Sequence, residues 1–231
     1  MGAQLCTPAM TQLKAFIIPV TPFQQNCSLV YDDERKVGAI VDPGGDVPVI
    51  LDAIKQSGIT IEKILLTHGH IDHAGGAAEL KEKLGGVPIE GPHVEDTFLL
   101  DELAATGAKY GYEARPVTPD RWLKEGDAVT VGDLEFKIYE APGHTPGSVV
   151  FFNDENRFVL VGDVLFQGSV GRTDFPRGDY DTLIRSIVEE LWPLGDAVRF
   201  VPGHGPMSTF GEERRSNAFV SDAALARTAT R

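Results

Sequence analysis

The sequence predicts an α/β protein built in layers, with two sheets packed together and helices outside. Two observations lead there. Strand-rich and helical stretches alternate in two similar rounds along the chain. In addition, three predicted strands run directly into a histidine, as though delivering it to one edge of a shared core. A chain of 231 residues can bury a substantial core without covalent staples.

The elements follow in order. Leu13–Pro19, Cys27–Tyr31 and Val37–Val41 are β-rich runs. Asp32–Lys36 forms a polar hairpin tip between the second and third, and Asp42–Asp46 forms a turn after the third. Val47–Ser57 spaces Val47, Ile50, Leu51 and Ile54 on one helical face, and Gly58 stops it. Ile61–Leu66 is a short apolar run that reads as a buried strand. It feeds the segment 67–73, after which Ala74–Leu84 is predicted helical up to Gly85-Gly86. Val94–Ala108 is predicted as one helix and Tyr110–Arg121 as loop. Strands return at Ala128–Val131, Leu134–Glu140, Ser148–Phe152 and Arg157–Val161. Asp181–Leu191 is an amphipathic helix and Val198–Val201 a last strand. Residues 1–12 read as a loose extension, with Met10 as an alternative start, ahead of a single domain over 13–231.

Composition excludes several classes. Apolar residues at 42% and charged residues at 24% rule out wholesale disorder. A formal charge of −13 disfavours nucleic acid and anionic membrane surfaces as partners. Cys6 and Cys27 cannot make a disulfide framework, and no secretion signal is read, so the expected location is the cytoplasm.

The strongest local signal is His68-Gly69-His70-Ile71-Asp72-His73, four potential metal ligands within six residues. Imidazole nitrogen and carboxylate oxygen suit zinc, iron or manganese. The bland alternative is a solvated polar loop. It is outweighed because five of the six histidines sit at strand exits: these three, His144 in Pro142-Gly143-His144, and His204 in Pro202-Gly203-His204. His93, after Gly91-Pro92, is assigned to an ordinary loop. Asp163 follows the strand at 157–161. Alone it would be a turn aspartate, but beside five histidines it is read as an anion between two dications.

These residues carry a resemblance. Thr67–His73, His144, Asp163 and His204, in that order, are similar to the pattern of the metallo-β-lactamase superfamily. The resemblance implies an αββα sandwich with the metals at one edge of the sheets. One divalent ion would take His68, His70 and His144; the other would take Asp72, His73 and His204; Asp163 would bridge. Asn26–Val30, Val41–Gly45, Gly162–Phe166, Gly171–Asp179 and Pro202–Pro206, with Ser208-Thr209 and Glu212–Asn217, resemble the glyoxalase II-related branch in its compact bacterial form. That resemblance implies hydrolysis of a glutathione thioester such as S-lactoylglutathione, with a metal-activated hydroxide as nucleophile and zinc as the first choice of metal.

The residue chemistry agrees with a thioester. A leaving thiol of pKa about 8.5 needs little protonation, and every histidine but His93 is already assigned to metal. Asp72 is also the candidate for orienting the nucleophile. Arg172, flanked by Gly168 and Gly171, is the first candidate for substrate binding, and Arg177 the second. The competing expectation for Arg172 is an ion pair with Asp174 or Asp179. The sequence ends soon after His204, which leaves no room for the helical extension of two-domain glyoxalase II enzymes, so weaker glutathione binding is expected. Four alternatives remain at this level, among them a superfamily nuclease, disfavoured by the acidic charge and the lack of an obvious RNA-binding insertion. One is a mono-iron persulfide dioxygenase, which shares a similar Gly-Arg-Thr-Asp stretch. Another is a β-lactamase, disfavoured because that group commonly has cysteine where Asp163 stands. The last is a metal-stabilised binding protein.

Overall fold

The computed structural model describes residues 11–228. The first sheet contains β1 (Leu13–Val20), β2 (Gln25–Asp32), β3 (Val37–Val41), β4 (Thr60–Leu65) and β5 (Ile89–Glu90), in that spatial order. The first three strands pair antiparallel through tight turns. From β3 to β5 the pairing is parallel, which demands crossovers. They are α1 (Val47–Ser57) and the pair α2 (Ile71–Ala74) and α3 (Ala77–Lys83). Gly58 ends α1 in the left-handed conformation, as the sequence predicts.

The second sheet contains β6 (Ala128–Val131), β7 (Leu134–Glu140), β8 (Val149–Asn153), β9 (Phe158–Gly162), β12 (Arg199–Pro202) and β13 (Ser208–Thr209). Its order is β13-β12-β9-β8-β7-β6, with a parallel join only between β12 and β9. A small hairpin, β10 (Leu165–Phe166) and β11 (Ser169–Val170), stands apart.

Three apolar clusters define the layers. Val30, Val41, Leu65, Phe136, Phe151 and Leu160 pack between the sheets. Leu29, Ile40, Ile50, Ile64 and Leu80 join the first sheet to α1 and α3. Val150, Val159, Leu183, Ile187 and Phe200 join the second sheet to α6 (Tyr180–Arg185) and the turns after it. This is the αββα order. It explains why β2, β8 and β9 are buried along their whole length rather than on alternate residues.

The structure differs from the predicted elements in particular places. The helix predicted over Ala74–Leu84 is two, broken at Gly75-Gly76, where the Gly76 amide donates to the Pro43 carbonyl instead of continuing the coil (2.8 Å). The helix predicted over Val94–Ala108 is a 3₁₀ turn at Val94–Asp96, then α4 (Thr97–Asp101) and α5 (Leu103–Tyr110). The helix predicted over Asp181–Leu191 is α6 followed by a wider π-type stretch, Ser186–Leu191. Ser186 there donates to the Pro142 carbonyl (2.8 Å). Two C-terminal helices, α7 (Phe210–Ser216) and α8 (Asp222–Thr228), complete the fold.

Of the extension predicted over 1–12, residues 1–10, including Cys6 and Met10, lie outside the described residues. Thr11 and Gln12 accept hydrogen bonds from Asn156 and Asp33. Cys27 is a buried free thiol. No helix among the described residues is long and apolar enough to cross a membrane.

Candidate metal centre

Strand direction brings the predicted residues together. β7 and β9 both run antiparallel to β8, and β12 runs parallel to β9, so all three leave the second sheet at the same edge. Their exits carry His144, Asp163 and His204. β4 carries His68 out of the first sheet at that edge, where the Val149 amide donates to the Thr67 carbonyl (2.9 Å). Asn26 fastens the last exit from the other side. Its amide donates to the Gly203 carbonyl (2.7 Å), and its side chain donates to the carbonyls of Pro202 (3.0 Å) and Gly205 (2.8 Å).

Three ring nitrogens converge in one half of the site. His70 Nδ1 lies 3.1 Å from His68 Nε2 and 2.9 Å from His144 Nε2. The other half gathers Asp72, His73 and His204, with His204 Nε2 3.1 Å from Asp72 Oδ2. Asp163 stands between them. Its Oδ1 is 3.3 Å from His73 Nε2, and its Oδ2 is 3.6 Å from both His144 and His204. Only glycine fits beside it at 203, where a Cβ would fall 2.0 Å from Asp163 Oδ1.

Hydrogen bonds fix which nitrogen each ring turns inward. Thr67 Oγ1 gives its one proton to Asp42 (2.6 Å), so it must accept from His68 Nδ1 (3.0 Å). His144 Nδ1 donates to the Arg172 carbonyl (2.6 Å), His204 Nδ1 to the Phe23 carbonyl (3.2 Å), and His73 Nδ1 to Asp42 (2.9 Å). When each of these four rings is neutral, its Nε2 lone pair is therefore left facing the centre. His70 is the exception and presents Nδ1.

Two supporting carboxylates carry no metal-ligand expectation from sequence. Asp42 was legible as part of a turn and of the Val41–Gly45 stretch that carries the resemblance, with no role of its own at the site. It has a positive φ and binds the Thr67 amide and hydroxyl as well as His73. Asp42 also forms a close trio with His68 and His73, but its oxygens are occupied by those donors. Asp96 is fully buried and accepts from Gly69 N (2.8 Å), Thr145 Oγ1 (2.8 Å) and Gly147 N (2.7 Å), tying the loops of His70 and His144 to each other. An aspartate opening a run of helical residues reads as a surface cap, so no local pattern marks this role.

Protonation divides the site in the same way. Burial, then the neighbouring imidazoles, push His68 well below 6.5 and His70 down to about 3. Burial lowers His144 too, against Asp163 and the Arg172 carbonyl. In His73 burial is outweighed by Asp163 and Asp72, and the pKa stands well above 6.5. In His204 burial is outweighed by the bond to Asp72 and by Asp163, and the pKa is raised. Asp72 and Asp163 are both held below the ordinary 3.8, because His73 and its neighbours overcome the effect of burial.

The site floors a cavity of about 800 Å³. Phe23, Leu99, Leu103, Tyr110, Phe166 and Phe175 supply its apolar walls. Arg172 lines it, but its guanidinium makes two hydrogen bonds to Asp174 (2.9 and 2.7 Å) and lies over Phe175. Arg177 is not in the wall; it pairs with Glu95 and lies over Phe98. His93 caps the 3₁₀ turn at 94–96, away from the cavity.

Residues 20–204 match the family model of the Metallo-beta-lactamase superfamily. The chain belongs to that superfamily. Within it, the chain is 46% identical over 207 residues to a Haemophilus influenzae protein described as hydroxyacylglutathione hydrolase GloC, covering 89% of this chain and 97% of that one. Among solved structures, TTHA1623 in a di-iron-bound form is 36% identical (TM-score 0.80), covering 88% of this chain and 99% of that one. The B3 metallo-beta-lactamase BLEG-1 is 33% identical (TM-score 0.82), covering 90% and 99%.

Proposed function

We propose that the chain is a metal-dependent thioester hydrolase acting on S-(2-hydroxyacyl)glutathione, S-lactoylglutathione first. His68, His70 and His144 would hold one divalent cation, and Asp72, His73 and His204 a second, with Asp163 between. One observation carries the reading. His73 Nε2 and Asp163 Oδ1 are buried, face each other at 3.3 Å, and have no hydrogen-bond partner at the centre of the cluster. Buried polar atoms are rarely left so, and a bound cation would satisfy both.

The donor set fits the proposed ions. Tetrahedral ligands at about 2.0–2.1 Å from zinc stand about 3.4 Å from one another. The His68, His70 and His144 nitrogens need only open slightly from 2.9–3.1 Å. All-nitrogen and oxygen donors admit zinc, iron and manganese, with zinc proposed first. The di-iron relative supports iron as the alternative. When bound, two such ions lower the pKa of water at the site from about 15.7 toward about 7 and polarise a carbonyl.

The chain's own residues do the rest. Asp72 lines the cavity with Oδ2 held at His204 Nε2, where it orients the nucleophile and accepts its proton. Phe175 packs edge-on against the His70 and His144 rings and closes that wall against water. Among the described residues no histidine outside the cluster lines the cavity, which suits a thiolate leaving group over an amine. Arg172 is a candidate on the wall through its stem, since its carbonyl is held by His144 and its guanidinium by Asp174. In this reading the partner is a small molecule rather than nucleic acid or membrane, and the protein works in the cytoplasm.

The test is metal analysis of the purified protein together with S-lactoylglutathione hydrolysis under anaerobic conditions. Metal-dependent release of glutathione is expected. Oxygen uptake with glutathione persulfide and no thioester hydrolysis would replace this reading with the mono-iron dioxygenase. Full metal loading without turnover of thioester, ester or lactam would replace it with a binding protein.

A further inference from the structure

One wall of the cavity carries charges that nothing among the described residues answers. Glu102 and Lys109 both line it, at the beginning and near the end of α5. Neither side chain forms a hydrogen bond or ion pair among the described residues. Arg172 on the same cavity lining differs, since its guanidinium is taken by Asp174. Seven residues of helix advance about 10 Å and return to nearly the same face. Thr106, which also lines the cavity, lies between the two on that face. The wall is thus a strip with an anion at one end, a hydroxyl in the middle and a cation at the other.

We propose that this face of α5 recognises the two ends of a zwitterionic peptide thiol, its ammonium at Glu102 and its far carboxylate at Lys109. An extended peptide spans about 3.3–3.6 Å per residue, so a tripeptide reaches the length of the strip. The histidine cluster on the floor lies beside the strip, where a central thiol or its thioester would sit. Tyr110 and Phe23, in edge-to-face contact at 5.3 Å, form an apolar border next to Lys109. The assignment rests on the thioesterase reading for the ligand's chemical class. It places recognition on the helix rather than on the loop of Arg172.

The experiment is calorimetric titration of the metal-loaded protein with glutathione, and with uncharged N-acetylcysteamine as control. Wild type is compared with Glu102→Gln, Lys109→Gln and Arg172→Ala, with melting curves to confirm that each exposed-site variant is folded. Lys109→Gln and Glu102→Gln should each weaken glutathione about tenfold and leave N-acetylcysteamine within twofold. Lys109→Arg should restore most of the affinity. Glutathione affinity unchanged in both Gln variants, or no glutathione binding by wild type, would overturn the proposal. Charge-dependent glutathione binding without hydrolysis of S-lactoylglutathione would uphold it while overturning the hydrolase reading.

Discussion

The two halves of the histidine–aspartate cluster are built on opposite electrostatic terms. His68 and His144 are only 1% and 3% exposed, and with His70 they make an all-nitrogen group whose rings are driven to the neutral form. The other half mixes a carboxylate with two imidazoles, and the His204 side chain is 29% exposed. There the anions Asp72 and Asp163 favour protonated rings. In the first half desolvation clears protons from the lone pairs before any metal arrives. In the second a metal must displace protons that the carboxylates attract. The same residue type is thus prepared in one place and contested in the other.

Removing a ligand from the prepared half should have the largest effect. His70→Ala is expected to lose metal and thioesterase activity together, by at least about a hundredfold, read by metal analysis and turnover. Retained turnover would count against the metal centre itself. Asp163→Asn comes next, since Asp163 reaches both halves; it should reduce bound metal to one ion per chain and cost activity in step. Two ions retained in that variant would show that the halves are independent.

Acidification gives a finer contrast. A ring with a raised pKa takes up its proton at higher pH, and a protonated ring offers no lone pair. The half with His73 and His204 should therefore release metal first as pH falls, beginning above pH 6.5. The His70 half should hold until much nearer pH 3. Metal content after equilibration at stepped pH would check this, and simultaneous release would remove the distinction. Asp96→Asn should weaken only the prepared half, by about tenfold in metal affinity, because it disturbs the amides of Gly69 and Gly147. Competition with a chelator would measure it. The smallest effect is expected for Arg172→Ala, within about threefold in kcat/KM, because its guanidinium is engaged by Asp174 and faces solvent.

Much of the fold and of the cluster was legible in the sequence, and the reasons are specific. His68–His73, His144, Asp163 and His204 stand at strand exits, and apolar runs such as Val37–Val41 and Leu134–Glu140 announce the strands with the observed ends. What was not legible depends on distant partners. The break at Gly75-Gly76 exists because the chain at Pro43 packs there. The strands β5, β10, β11 and β13 have two residues each, too few for any period to show. Asp96 is separated from the residues it positions by 27 to 51 places in the chain. By contrast, α7 had a local signal, because Thr209 caps it by accepting from the Glu212 amide, a Thr-x-x-Glu pattern. The Glu212–Asn217 stretch serves the fold: buried Glu213 accepts from Gly168 N and from Asn217, steadying the β10–β11 turn at the cavity's rim.

The clasp between Asn26 and the loop of His204 joins residues 176 and 179 places apart. It closes one of the longest circuits in the site, so a chain still emerging from synthesis, or one refolded only through its first sheet, has no complete second half of the cluster to offer. The His68–His73 segment exists early, but His204 arrives only when β12 is seated between β9 and β13. Occupancy of the second half thereby reports completion of folding. A metal captured there draws the equilibrium toward the finished chain.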